Sequence, residues 1–352
     1  MSRDASARRP AAAPRGRPSV RPPGRGAPRY GAIDLGTNNC RLLVAAPRRD
    51  GEGLSGLRVV DAFSRIVRLG EGVSGSGRLS DAAMDRTVAA LSVCARKMRE
   101  RGVTRSRAIA TQACRLATNG PSFLERVRAE TGLTLDLISP EEEARLAALG
   151  CADLIDAAAK AVLVFDIGGG STEMSWIATD GPLPRTLAWT SFPFGVVTLA
   201  EEAGGRDMDR AGYDAMVARV AAEVAGFAGP AALDGLFGTR AAHLIGTSGT
   251  VTSLAGVKKR LPRYNRRDVD GSWLSAGDVE TVSESLRAMG FDRRAAEPCI
   301  GPERADLVVP GCAILEGIMR VWPSERVRVG DRGLREGMLI ELMGADRAAR
   351  RG

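Results

Sequence analysis

Short apolar runs alternate along the chain with longer stretches of helical periodicity, which is the pattern of an α/β protein. Residues 30–35 and 40–46 read as two strands joined by a turn at Gly36 to Asn39, and another strand region follows at 57–69. Ser80 stands where it would cap a helix over 81–101. Met84, Val88, Leu91, Ala95 and Met98 fall on one face of that helix, and Gly102 ends it. Strand 106–110, helix 121–130 opened by Pro121, and strand 133–138 come next. The second half repeats the theme with strands 161–166 and 174–179, helical stretches near 207–228, and strand 242–246. A helix from Asp278 to about 289, strand 326–330 and an amphipathic helix over 333–343 close the chain.

Within this alternation one phrase occurs twice. Ala32-Ile33-Asp34-Leu35-Gly36-Thr37-Asn38-Asn39 and Val164-Phe165-Asp166-Ile167-Gly168-Gly169-Gly170-Ser171-Thr172-Glu173 are each an apolar strand ending in one carboxylate, then a glycine turn, then a second apolar stretch. A strand-end Asp can simply cap its turn. Repetition of the same context favours a paired site instead, in which the acids hold a metal ion and the turn amides hold phosphate oxygens. Gly168, Gly169 and Gly170 let an anion approach the backbone, Ser171 and Thr172 add hydroxyls, and Thr37, Asn38 and Asn39 supply the opposite jaw. A further glycine turn, Gly246-Thr247-Ser248-Gly249-Thr250, follows the 242–246 strand.

Composition mainly removes options. The net charge of +8 suggests a nucleic-acid binder, but residues 1–29 carry eight arginines and six prolines against one acid. The excess is therefore a tail too poor in apolar bulk to fold, and no specific nucleic-acid partner is expected. Six scattered cysteines form neither a zinc pattern nor a disulfide framework, which suits a reducing cytoplasm. No apolar run reaches the roughly 18 residues that span a bilayer, and no secretory leader is evident, so no membrane association is expected. The single histidine, His243, lies in an apolar segment and reads as a core or strand-end residue, which leaves no histidine-based nucleophile system. No Gly-Lys dipeptide occurs, so the P-loop is excluded. Gly70-Glu71-Gly72-Val73-Ser74-Gly75 matches G-x-G-x-x-G but opens no helix at its third glycine, and reads as a mobile loop.

Ile138-Ser139-Pro140-Glu141-Glu142-Glu143 is a helix start, with Ser139 as cap, Pro140 at the first position and Glu142 completing a capping box. Glu143 is left without a local task. A carboxylate near two phosphate turns can act as a base that activates water, a role worth about 10²- to 10⁴-fold in rate.

Together with Ala110-Thr111-Gln112-Ala113-Cys114-Arg115, Phe192-Pro193-Phe194-Gly195 and Asp331-Arg332-Gly333-Leu334-Arg335-Glu336-Gly337, these motifs resemble the exopolyphosphatase and guanosine pentaphosphate phosphatase family, in order from about 30 to 343. The resemblance implies an actin-like, sugar-kinase-like α/β fold of two ribonuclease-H-like domains around a cleft. It implies a disordered tail over 1–29, a first domain over 30–148 completed by a helix over 331–345, a second domain over 149–330, and a tail over 346–352. It further implies Mg²⁺-dependent hydrolysis of the terminal phosphoanhydride of inorganic polyphosphate, with guanosine pentaphosphate as the alternative substrate and a homodimer as a compatible state. By the same resemblance Glu143 activates water, Glu173 is the second glutamate of the site, Asp34 and Asp166 hold the metal, and Arg115 binds phosphate, as do Gly246, Thr247, Ser248 and Gly249. An alternative of another class is an actin-like nucleotide-binding switch protein. The chain departs from the family at Thr37-Asn38-Asn39, at Pro140 and at Val269-Asp270-Gly271, where a usual histidine is replaced by an acid. It resembles the short members of the family, in which the pieces available to grip a long polyphosphate beyond the active site are Arg263, Arg266, Arg267, Arg332 and Arg335; these read equally as a solvated basic surface, which leaves short-chain substrates open.

Overall fold

The structure, a computed structural model, describes residues 28–48, 56–180, 185–204, 206–227, 229–233 and 235–349; the basic tail up to residue 27 lies outside them. In chain order the first lobe comprises β1 (Tyr30–Leu35), β2 (Asn39–Pro47), β3 (Leu57–Ile66), α1 (Val73–Ser76), α2 (Asp81–Glu100), β4 (Arg105–Ala110), α3 (Gln112–Leu116), α4 (Gly120–Thr131), β5 (Asp136–Leu137) and α5 (Pro140–Gly150). The second begins with β6 (Ala161–Ile167), β7 (Thr172–Ala178), β8 (Arg185–Phe192), α6 (Val196–Ala203), α7 (Arg210–Ala225), β9 (Ala242–Thr247) and α8 (Gly249–Lys258). It continues through α9 (Arg266–Val269), β10 (Trp273–Ser275), α10 (Ala276–Ala288), α11 (Phe291–Ala296), α12 (Val308–Val321) and β11 (Arg326–Gly330), and α13 (Leu334–Ala349) returns to the first lobe.

Among the described residues the strands form two sheets with the same topology. The first runs β3-β2-β1-β4-β5 and the second β8-β7-β6-β9-β11, with β10 added at its edge. In each, the Asp-bearing strand is central, antiparallel to the strand that follows it and parallel to the fourth. This is the duplicated ribonuclease-H-like order of an actin-like fold. Both central strands are buried almost throughout, as expected of strands covered on two faces.

On one face of the first sheet Leu42 and Val44 pack with Val88 and Leu91 of α2. On the other, Ala32, Leu43 and Ala45 pack with Leu146 of α5 and with Met338 and Leu339 of α13. The second lobe centres on Phe165 and Trp176, against α7 and α12.

Several elements differ from their sequence-based expectation. The 133–138 strand shrinks to Asp136–Leu137, because β5 is an edge strand that pairs only with the end of β4. The 57–69 strand stops at Ile66, where the chain folds back to bond the Asn38 carbonyl. The segment expected as a mobile loop at 70–75 contains α1, held in place as described below. His243 is buried on β9, where its Nε2 accepts the Asp156 N–H at 3.1 Å. Burial lowers its pKa.

The return of α13 depends on close helix packing. A side-chain carbon at Gly337 would run into the Leu146 carbonyl, and one at Gly150 into the Gly333 carbonyl. Gly337→Ala should therefore destabilise the fold by roughly 1–3 kcal/mol, read as a lower urea midpoint at unchanged slope.

Candidate functional site

The ends of β1 and β6 deliver Asp34 and Asp166 to opposite walls of one cleft. Its empty space, including the open mouth, is about 850 Å³, enough for a short phosphate chain. Thr37, Asn38 and Asn39 line it from the first lobe, and Gly168, Gly169, Gly170 and Ser171 from the second. Each turn is closed by one backbone bond, Gly36 N–H to Asn39 O and Gly168 N–H to Ser171 O, both 2.9 Å. Among the described residues the amides of Thr37, Asn38, Gly169 and Gly170 donate to no backbone acceptor. They are left for an anion.

The two turns also touch. A side-chain carbon at Gly169 would sit 3.2 Å from the Asn38 nitrogen, and one at Gly170 would run into Gln112 Oε1. The glycine run therefore lets the lobes close against each other as well as letting a ligand approach.

Glu143 and Glu173 complete a group of four carboxylates with Asp34 and Asp166, of which Asp34, Glu143 and Glu173 are buried and Asp166 is half-buried. Strand register explains part of the arrangement. Asp34 lies opposite Arg41 on β2, whereas Asp166 lies opposite Glu173 on β7. The first lobe thus pairs its acid with a cation, and the second sets like charges side by side, which destabilises a sheet. Glu173 is offset by the Ser191 hydroxyl, which donates at 2.9 Å from the facing position on β8.

Burial raises the pKa of all four acids. For Asp166, burial followed by the Glu173 charge pushes it up to about 7. For Glu143, burial comes first, and Glu173 and Asp34 add to it against the pull of Arg115.

Glu143 is fixed from below. Ser139 caps α5 by accepting the Glu142 N–H at 3.2 Å, but the expected capping box stays half-formed. The Glu142 carboxylate turns away to Arg107 at 3.0 Å and Arg145 at 2.8 Å. Arg115 Nη1 bridges Glu143 Oε2 at 3.0 Å and the Ile138 carbonyl at 2.8 Å. It is thereby a partner of Glu143 rather than part of the cleft lining.

Other candidates lie beside the cleft. Thr172 donates to the Phe194 carbonyl at 2.9 Å in full burial, and Gly246 packs against Phe165. Thr247 lines an adjoining cavity. Ser248 and Gly249, at the start of α8, line both. Ser248 has φ +138° and ψ 172°, a strained conformation for a non-glycine residue, and its Oγ is buried without a partner.

Two residues that the sequence reading passed over, Arg41 and Arg304, line both cavities, and among the described residues neither guanidinium closes an ion pair within 4.0 Å, although Arg41 acts on Asp34 through its charge. Arg41 had a signal, since it follows Asp34 by seven positions as Glu173 follows Asp166. Arg304 had none. Asp270, the acid that replaces a usual histidine, is bound by Arg332 and by the Asp331 N–H at 3.0 Å and lines neither cavity.

The acids, the hydroxyls and the side-chain carbonyl oxygens of Asn38 and Asn39, both buried without a partner, fit a hard divalent cation in donor type. Among the described residues no three His, Cys, Asp or Glu side chains stand close enough to chelate an ion unaided. The donor set suits a cation that takes one or two carboxylates and completes its shell with phosphate oxygens and water, as Mg²⁺ does.

Residues 48–346 match the model of the Ppx/GppA phosphatase family. Exopolyphosphatase 2 of Mycobacterium tuberculosis is 29% identical over 330 residues, covering 90% of this chain and 99% of that protein. Exopolyphosphatase 1 of Mycobacterium bovis is 28% identical over 326 residues, covering 90% and 89%. The crystal structure of the Aquifex aeolicus Ppx/GppA family member superimposes with a TM-score of 0.73 at 26% identity, covering 91% of this chain and 98% of that one.

The carboxylate group makes stability depend on pH with a definite sign. An acid whose folded pKa is raised contributes stability that is full below its unfolded value near 4 and is lost as pH rises through the folded value, about 7 for Asp166. His243, with a lowered pKa, acts the other way, losing stability as pH falls below about 6.5. With four acids against one imidazole, the metal-free chain should melt at a higher temperature at pH 5.5 than at pH 8. Asp166→Asn should raise the pH 8 value and narrow the difference, as measured by calorimetry in chelator.

Proposed function

The chain belongs to the Ppx/GppA phosphatase family, and from that membership and the geometry of the cleft we propose that it hydrolyses the terminal phosphoanhydride of inorganic polyphosphate. The observation that carries this reading is the placement of Glu143. It is a buried carboxylate of raised proton affinity, held by Arg115 on the wall of a cleft whose two turns offer free amides. The site holds no cysteine or histidine to act as a nucleophile. Direct attack by water is the route such a site can serve, because phosphoryl transfer needs positioning, charge neutralisation and a base.

The Thr37, Asn38, Gly169 and Gly170 amides bind the equatorial oxygens of the terminal phosphoryl group and fix it against rotation. Arg41 and Arg304 take the anionic charge of the following units where the two cavities join. Glu143 accepts the proton of the attacking water, and Arg115 keeps its Oε2 aimed while leaving Oε1 for that water. Glu173, steadied by Ser191, places a second acceptor beside the same space. Asp34 and Asp166 are the acids that would hold Mg²⁺, which when bound offsets the charge of the phosphate oxygens and of the carboxylates themselves. Arg266 is fixed by Glu336 at 2.6 Å in the adjoining cavity and extends the basic lining outward.

Glu143→Gln tests the reading. With Mg²⁺ and polyphosphates of defined length, kcat should fall by at least about 10²-fold while KM changes little. Guanosine pentaphosphate is run in parallel. Full activity of the variant removes the mechanism, and release of phosphate from the nucleotide alone replaces the substrate.

A further inference from the structure

The G-x-G-x-x-G segment, left unexplained by the sequence, joins the two lobes. On its inner side it is sewn to the first phosphate turn. The N–H groups of Val67 and Arg68 donate to the Asn38 carbonyl at 2.8 and 3.0 Å, and that of Gly70 donates to the Thr37 carbonyl at 2.9 Å. Gly70 packs so closely on Thr37 that a side-chain carbon there would collide with it. On its outer side it is held by the second lobe. Glu201, at the end of α6, accepts the Gly72 N–H and the Ser74 hydroxyl, both at 2.9 Å. Arg68 pairs with Asp306 at 3.1 Å, just before α12, and donates to the Glu303 carbonyl at 3.3 Å.

The two anchor points share a rigid base. Arg294, fully buried, donates to the Ala305 carbonyl at 2.8 Å, to the Arg206 carbonyl at 2.5 Å and to Asp207 at 3.0 Å. It thereby ties the turn that carries Asp306 to the chain that follows Glu201. The start of α6 is in turn bonded to the second phosphate turn, with Val196 and Val197 donating to the Gly168 and Gly169 carbonyls at 3.0 and 2.7 Å. A continuous set of hydrogen bonds therefore runs from Asn38 through residues 67–76 to Glu201, and back along α6 to Gly169. The ring closes where Asn38 and Gly169 touch.

We propose that Glu201 and Asp306 are positioning residues that clasp the 67–76 segment and so hold the first phosphate turn in register with the second. Neither touches the cleft acids. They act through the carbonyls of Thr37 and Asn38, whose own amides face the ligand. The proposal rests on the reading of those turns as the phosphate site. Its consequence is that loss of the clasp loosens substrate capture before it affects the chemical step, since Glu143 and its supports lie outside the ring.

The test compares the Glu201→Gln, Asp306→Asn double variant with the wild type, using hydrogen exchange of the metal-free protein and steady-state kinetics with Mg²⁺ and polyphosphate. Faster exchange is expected in peptides covering 36–39 and 67–76, with the β9 core unchanged. KM should rise about three- to tenfold, in line with two partly exposed charge-assisted contacts, and kcat should stay within about twofold. Asp306→Glu, which keeps an acceptor for Arg68, should restore most of the loss. Each single variant should give an intermediate effect, so the test survives if the double variant does not fold. Wild-type exchange in both segments overturns the proposal, as does a fall in kcat at unchanged KM. If polyphosphate is not hydrolysed at all, the functional reading fails while the exchange result still decides the clasp.

Discussion

Asp166 and Glu173 face each other across adjacent strands, and Glu143 and Asp34 add their charges from the opposite wall. No fold gains stability from four carboxylates so close together, three of them buried. The protein can hold them only because each sits on an element whose position is settled by something else. Asp34 and Asp166 end central strands buried on both faces, Glu173 is paired in register between β6 and β8, and Glu143 rides on a helix locked against α13 by glycine contacts. The repulsion is thus stored in the molecule, where it favours the arrival of a cation.

The two lobes solve the same problem differently. They share topology, the strand-end Asp and the glycine turn, yet the position seven residues on is Arg41 in one and Glu173 in the other. The first lobe supplies a cation that lines the cleft. The second sets Asp166 and Glu173 side by side, across the cleft from Glu143. Duplication supplies the cleft, and the divergence at this one offset makes its walls unlike. The glycines serve this symmetry twice, since Gly169 and Gly170 are needed for the lobes to meet at all.

Much of this was legible in the chain. Strands that run apolar to a single Asp, and a helix opened by Ser139-Pro140, announce themselves because their signals are local. What escaped is what tertiary contact decides. Helix α12 is buried on almost every side and so lacks the polar face that marks an amphipathic helix. Strand β8, with Arg185, Thr186, Trp189 and Ser191, looks like a loop until it pairs with β7. Glu142 was expected to close a capping box, but Arg107 and Arg145, one distant in sequence, outbid the local backbone. Glu201 and Asp306 carry no motif, because their roles exist only once segments 129 and 238 residues apart in sequence are brought side by side, and Arg304 lies in the same distant turn as Asp306.

Asp166, its pKa pushed up to about 7 by burial and by the Glu173 charge, is partly protonated near neutral pH, and a cation bound among these acids would displace that proton. Calorimetric titration of Mg²⁺ into metal-free protein near pH 7, repeated in buffers of different ionisation enthalpy, measures that exchange directly. Binding is predicted to release up to about one proton per ion, with less released at pH 8.5. A binding heat that is the same in every buffer, or no binding at all, would contradict the account.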